Sequence, residues 1–300
     1  MDRLRLELEI ISDIIYYKHR FHNLLSLLTK KGSFICPNGF RLDFNGENKE
    51  YVRKLFAFSI RYGIEFSQDN GFWHYRDNVA ELPNGVKFYI NGFSPIIFAE
   101  TFLYDTHFTN FNLENRSVIQ AGGFIGDTAL YYASRGAKVF SFEPNIYSFG
   151  MAIKNIELNL LLKENIVFRN IAIGHDGEIE FPMDPDRSSK SSVYDFRGKN
   201  VMKIRSASIR SILNEFNINR PYLLDLDIKG KEFYIINDDS ISEFEMVRIE
   251  YSTFVGNKKL GNRDDILKKL DEYGFKKIRI FKHNELPYDL NTHGTIEAAK

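Results

Sequence analysis

The sequence predicts an α/β fold, a doubly wound and largely parallel sheet running from Asn115 to about Lys282. Three observations predict it. From Asn115 onward, short apolar runs of strand length alternate with stretches of helical spacing, the pattern of βαβ units with right-handed crossovers. The first run leads into a glycine-rich turn, Gln120-Ala121-Gly122-Gly123-Phe124-Ile125-Gly126-Asp127-Thr128. The second run ends on an acid, Glu143, about twenty residues on, the distance at which an acid reaches ribose hydroxyls.

The elements follow in order. Leu4, Leu8, Ile11, Ile15, His19, His22, Leu25 and Leu28 keep helical spacing, and Gly32 after Lys30-Lys31 is a stop signal, so residues 1–32 read as one amphipathic helix. Its His19 and His22 lack carboxylate or cysteine support and read as structural. Residues 33–114 read as a small β-rich accessory or cap region, with aromatic runs broken by glycine and asparagine. "PNGFRLDF" and "PNGVKFYI" each begin with a turn suited to a hairpin. Trp73 and His74 read as part of a satellite core.

Residues 115–300 form the main domain. Strands are expected at Arg116–Ala121, Lys138–Phe142, Ile166–Ile173, Pro221–Ile228, Phe244–Tyr251 and Phe275–Phe281. Helices are expected at Thr128–Ser134, Ile146–Leu162, Ala207–Phe216 and Arg263–Tyr273. His293–Lys300 reads as an antiparallel edge strand or a free tail.

Forty basic and forty acidic residues cancel, so the chain has no bulk field for nucleic acid, and no nucleic-acid partner is expected. Lys276, Lys277, Arg279 and Lys282 read as the solvated face of a strand. Cys36 is the single cysteine, which leaves no intramolecular disulfide and no cysteine zinc site. The opening "MDRLRLELEI" lacks the apolar core of a signal peptide, and no apolar run is long enough to span a bilayer. A cytoplasmic location is the expectation.

In such a sheet, ligands bind at the carboxyl ends of the strands. The stretch Ala121–Gly126 is a relaxed G-x-G-x-x-G, so two ligands fit the glycine turn and its acid: a nicotinamide dinucleotide and S-adenosylmethionine. No recognisable hydride-transfer constellation follows in the later part of the chain, which weighs against the first.

In the order of its motifs the chain resembles the FkbM family of S-adenosylmethionine-dependent methyltransferases. The matching stretches are "VIQAGGFIGDTALYYASRGAKVFSFEPN", "NIELN", "NIAIGHDGEIEF", "LLDLDIKGKE" and "VRIEY", with "ETFLYDTHF" leading into them. The resemblance covers roughly Pro83 to Phe281 and implies a Rossmann-like class I methyltransferase fold. It implies that Gly122, Gly126 and Thr128 line the methionine side of S-adenosylmethionine. It further implies that Glu143 binds the ribose, that Pro144 and Asn145 turn past the adenine, that Asn170 and Ala172 lie near the ring, and that Tyr104 helps hold the methionine end.

Two departures stand out. The family has Asp where this chain has Gln120, which keeps a hydrogen-bond acceptor for the methionine end but loses the charge. The family's Lys-Ile-Asp-Val-Glu-Gly-Ala-Glu reads here from Asp225 to Glu232, with the flanking charges exchanged into Asp225 and Lys229. That exchange suggests that Asp225 and Lys229 pair across the strand end; independent surface changes are the other reading.

Methyl transfer from a sulfonium needs alignment and a base for the acceptor proton. Asp227 is the expected base, with Glu250 orienting acceptor hydroxyls, and His107 a further candidate. Asp225 and Asp227 could also ligate a divalent metal, though adjacent acids at a strand end are more often without one, and none is assigned. The polar stretch Asp184–Asn200, with Ser191 and Ser192, suits a flap over a polar acceptor or an exposed hairpin tip. The reading is thus an O-methyltransferase acting on a small-molecule or glycan acceptor, with a methyltransferase-like binding domain without turnover as the alternative.

Overall fold

Polar residues decide how the first helix sits. Helix α1 (Arg20–Leu28) buries Asn23 and Ser26 and exposes Phe21, Leu25 and Leu28. The Asn23 amide exchanges two hydrogen bonds with Ile35 and the Ser26 hydroxyl donates to the Ser33 carbonyl, so the helix serves the open edge of strand β1 (Gly32–Ile35). The long amphipathic helix expected over residues 1–32 is therefore corrected. A turn at Tyr17–His19 precedes α1, and Gly32 opens a strand instead of ending a helix.

The computed structural model describes residues 11, 14–15, 17–105, 107, 112–183, 201–228, 230–255, 257–282 and 289–300. The chain divides into two units, Met1–Tyr104 and Asp105–Lys300. In the first, both Pro-Asn-Gly turns close hairpins: β1 with β2 (Arg41–Phe44), and β4 (Val79–Glu81) with β5 (Lys87–Tyr89), while β3 (His74–Arg76) pairs with β4. The expected β-rich texture also carries two helices, α2 (Lys49–Tyr62) and α3 (Pro95–Phe102). Val52, Leu55, Phe56 and Ser59 face inward on α2 at helical spacing, and Phe56 stacks on Phe34 with ring centroids 4.9 Å apart. Trp73 is buried edge-on against Phe58, a core residue as expected.

In the second unit, the described residues build a seven-stranded sheet of order β16-β17-β13-β12-β6-β7-β8. Its strands are β6 (Ser117–Ala121), β7 (Lys138–Phe142), β8 (Ile166–Arg169), β12 (Pro221–Leu226), β13 (Met246–Ser252), β16 (Lys277–Phe281) and β17 (His293–Ala299), while the short β14 (Phe254–Val255) and β15 (Lys258–Lys259) pair antiparallel outside it. The helices between them are α4 (Asp127–Ser134), α5 (Ile146–Glu157), α6 (Leu160–Lys163), α7 (Ile209–Glu215), α8 (Glu232–Ile235) and α9 (Arg263–Glu272). All neighbours from β13 to β8 are parallel, and β17 runs antiparallel to both β13 and β16. The C-terminal segment is thus antiparallel as read, but interior. Its small apolar residues suit burial on both faces, whereas the charged, exposed β16 takes the edge.

Two expected elements are split and a third is shortened. The helix expected over Ile146–Leu162 ends at Glu157, and Asn159 caps the separate α6. The strand expected over Ile166–Ile173 breaks at Asn170, and β9 (Ala172–Ile173) joins a second sheet with β10 (Gly177–Pro182) and β11 (Val201–Ala207). Ala207 ends β11, and the helix expected from it starts two residues later behind the N-cap Ser208.

One face of the main sheet carries an apolar core that includes Ile119, Phe142, Leu224, Leu226, Val247, Ile249 and Ile296. The other face carries a polar row. Ser141, Gln120, Asp225, Arg248, Glu297 and Arg279 stand directly opposite one another on six successive strands. Residues paired in this way project to the same side of a sheet.

Candidate active site

The carboxyl ends of β6, β7 and β12 are clamped together by the main chain. The N–H groups of Gly122 and Gly123 both donate to the Phe142 carbonyl at 3.0 Å, and the Asp227 N–H donates to the Ala121 carbonyl at 3.0 Å. Gly122 has φ of +91°, and a Cβ there would lie 1.8 Å from the Asp227 carbonyl oxygen. No other residue fits so close an approach of two strand ends. Gly126, with φ of +81°, caps α4, whose first turn buries Thr128.

Glu143 is pinned over this turn. Its two carboxylate oxygens accept from the Phe124 N–H at 2.9 Å and the Asn145 N–H at 2.7 Å. Burial pushes its carboxyl up to about 8, against the lowering effect of those two N–H bonds. Asn145 then caps α5, its side-chain oxygen accepting from the N–H groups of Tyr147 and Ser148. The Asn170 amide donates to the carbonyls of Glu143 and Pro144 at 2.8 and 3.0 Å, which ties the turn after β8 to the turn after β7. Asn145 Nδ2 and Ser148 Oγ are buried beside Glu143 without a hydrogen-bond partner among the described residues, an uncommon state for buried polar groups. Ala172 is buried in β9, where it pairs with Ser206 of β11. Tyr104 is an exposed residue of the first unit, its ring 6.2 Å from that of Tyr62.

Gln120 is spent inside the sheet, where its side-chain carbonyl accepts from the Ser141 hydroxyl at 2.7 Å. Its neighbour Asp225 is fully buried and accepts from Arg248 Nη1 at 2.7 Å and from the Tyr132 hydroxyl at 2.8 Å. Burial opposes its charge, but the Arg248 guanidinium outweighs that and holds the carboxyl well below the usual range. Arg248 from the adjacent strand holds this carboxylate; Lys229, its suggested partner, lies outside the described residues, as do Ser191 and Ser192. His107 is buried with Nδ1 3.6 Å from Asp225 Oδ2, and burial together with Arg248 pushes its pKa down, which keeps the ring neutral.

This row changes what restoring an acid at position 120 would do. Gln120→Asp would place a second buried carboxylate directly opposite Asp225. We expect it to lower stability by roughly 1–3 kcal/mol, read as an earlier urea midpoint. A midpoint at or above that of the unmodified protein would mean that Arg248 serves both acids.

Further along, Asp227 follows β12 and Glu250 lies near the end of β13, both half-buried. Glu232 is buried between them in charge, its carboxyl raised by burial and by the nearby Glu250 and Asp227. Its Oε2 accepts from the Gly230 N–H at 2.8 Å. Glu250 Oε1 also faces His293 Nε2 at 3.8 Å, and His293 Nδ1 is 2.8 Å from the Ser252 hydroxyl. Sequence reading missed Tyr132, Arg248 and His293. Arg248 inside an apolar run was the one visible signal, since a lone arginine in a buried strand needs an acid. Among the described residues, no group of three histidine, cysteine or acidic side chains is placed to hold a metal, and no helix is long and apolar enough to cross a membrane.

No curated protein matches the chain. Among solved structures it is similar to the precorrin-6y C5,15-methyltransferase of Geobacter metallireducens GS-15, at 10% identity over 62% of this chain and 82% of that one, with a TM-score of 0.35. It is similar to the magnesium protoporphyrin IX methyltransferase of Synechocystis PCC 6803 with bound SAM, at 14% identity over 63% and 72%, with a TM-score of 0.36. Similarity to the METTL16 MTase domain runs over 89% and 86% at 10% identity, with a TM-score of 0.45. Residues 120–277, more than half of the chain, match the family described as the methyltransferase FkbM domain. With the glycine turn, Glu143, Asp227 and Glu250 all inside the matched segment, the chain belongs to the FkbM methyltransferase family.

Proposed function

We propose that this protein transfers the methyl group of S-adenosylmethionine to a hydroxyl oxygen of a small polar or glycosyl acceptor, and that nucleic acid is not its substrate. The observation that carries the reading is Glu143, a buried acid fixed by two backbone N–H groups over a clamped glycine turn. Each of its oxygens keeps a lone pair for one hydroxyl of a ribose diol. Gly122, Gly126 and Thr128 would border the methionine portion. Pro144, Asn145, Asn170 and Ala172 would border the adenine, with the unpartnered Asn145 Nδ2 and Ser148 Oγ supplying polar groups that suit a heterocycle. When bound, the donor supplies an electrophilic methyl on a positively charged sulfur. Asp227, at the clamp itself, would balance that charge, and Glu250 would face the acceptor.

The test is a calorimetric titration of the whole chain with S-adenosylmethionine and, in parallel, NADH. Micromolar binding of the methyl donor, lost in Glu143→Ala, is expected; binding of NADH alone would overturn the reading. The pH dependence sharpens it. Ribose hydroxyls donate to the ionised acid, and Glu143 in the free protein ionises at about 8. Affinity should therefore rise from pH 6 to pH 9 by on the order of 10–100-fold, about tenfold per unit below that value. Donor binding at pH 7 should release a proton, visible as a heat that changes with the buffer's ionisation enthalpy. The free protein responds in the opposite sense. Between the ordinary glutamate value of 4.5 and about 8, the folded state keeps a proton that the unfolded chain has lost, so its stability falls as pH rises through that window.

A further inference from the structure

Resting on the methyl-transfer reading, we infer that His293 is the base that takes the acceptor's hydroxyl proton, held in register by Ser252 and Glu250. The three residues come together through sheet pairing alone. Ser252 and His293 stand directly opposite each other on β13 and β17, and Glu250 lies two residues before Ser252, on the same face. His293 Nδ1 is 2.8 Å from the Ser252 hydroxyl, and Nε2 is 3.8 Å from Glu250 Oε1. The ends of the two strands are further locked by the Thr253 N–H, which donates to the Thr292 carbonyl at 2.8 Å. A site built on strands in this way holds its geometry more tightly than one built on loops.

Position and access agree with the role. The group lies at the carboxyl end of β13, on the rim where open α/β sheets bind ligands. The side chains of His293 and Glu250 are 19% and 14% exposed, so they are sheltered yet reachable, unlike the almost fully buried His107. Asp227 is the poorer base. Its main chain belongs to the glycine-turn clamp and its charge acts on Glu143, so it serves the donor side. One strand, β13, separates β17 from β12 in the sheet order, which places His293 toward the acceptor.

The step balances. The acceptor O–H proton passes to His293 Nε2, the freed oxygen pair forms the bond to the methyl carbon, and the carbon–sulfur pair stays on sulfur, which becomes a neutral thioether. Nδ1–H donates to Ser252 Oγ throughout, and the Glu250 carboxylate faces the imidazolium formed at Nε2. Glu250 and Ser252 are thus positioning residues.

The deciding experiment is ¹⁵N NMR of the imidazole side chains in the full chain, with His293→Gln identifying the signal among the seven histidines. The expected result is a neutral Nδ1–H tautomer with Nε2 unprotonated, and a His293 titration midpoint that moves to lower pH in Glu250→Gln, because a carboxylate favours the charged ring. A neutral Nε2–H tautomer, or a midpoint indifferent to Glu250→Gln, would overturn the assignment whatever the acceptor. With labelled S-adenosylmethionine and a panel of methyl hexosides, His293→Gln should lower kcat about 10²–10⁴-fold while donor affinity stays within about twofold. Equal kcat in that variant would also overturn it. Ser252→Ala should give a smaller loss of kcat and a mixed tautomer. Failure of the unmodified protein to bind the methyl donor would instead strike the underlying methyl-transfer reading, so the two are separable.

Discussion

Asp225→Ala should cost about 3–5 kcal/mol of folding stability, because it leaves the Arg248 guanidinium buried without its carboxylate. Both side chains are fully buried, and their N–O contact is 2.7 Å. The Tyr132 hydroxyl loses its acceptor in the same change. Asp227 and Glu250 also act on Arg248, yet neither is its direct partner in the row. A urea titration followed by circular dichroism should show a much earlier midpoint. The double change Asp225→Leu with Arg248→Met should recover most of the loss, since replacing both partners removes the desolvated charges together. Failure of the double variant to recover would mean that the row, and not the isolated pair, is the stabilising unit. The pair's contribution also has a fixed pH sense. The Asp225 carboxyl is held below its ordinary value in the fold, so the stabilisation is present above that value and disappears as pH falls through the acid range.

Gly122→Ala should be the most damaging single change to donor binding outside Glu143. The new methyl would meet backbone, the Asp227 carbonyl, at 1.8 Å, and the residue would have to keep a φ of +91°. Backbone cannot rotate away as a side-chain tip can, so the β6 and β12 ends must part. Left-handed strain alone costs of order 1–3 kcal/mol. Parting the clamp also shifts the Phe124 N–H that fixes Glu143. We therefore expect donor affinity to fall at least about 100-fold, the equivalent of roughly 2.7 kcal/mol, in the same titration. Gly39→Ala, on a hairpin of the first unit with φ of +91° and open space around its Cβ, is the matched control. It carries the conformational strain without the collision and should leave donor affinity unchanged. Equal affinity in Gly122→Ala and Gly39→Ala would show that the clamp is not needed for binding.

Much of this molecule could be read from local pattern. The strands β6, β7, β12 and β13, the glycine turn and the placement of Glu143 after β7 follow from apolar runs and from backbone conformations that only glycine tolerates easily. These signals are local, because side-chain alternation and allowed φ are set by a residue and its neighbours. The membership of the FkbM family was legible for the same reason, through the order of the strand-end motifs. Residues whose meaning depends on a distant partner could not be read in that way. Asn23 and Ser26 turn inward because a strand edge needs their hydrogen bonds, a demand that helical spacing does not reveal. Asp225 joins Arg248 because adjacent strands bring them into register. His293 meets Ser252 and Glu250 only because β17 inserts antiparallel between β13 and β16. Sequence periodicity says which face of a strand is apolar, but strand order and register are decided by packing across the whole sheet, and it is register that assembles the charges at this site.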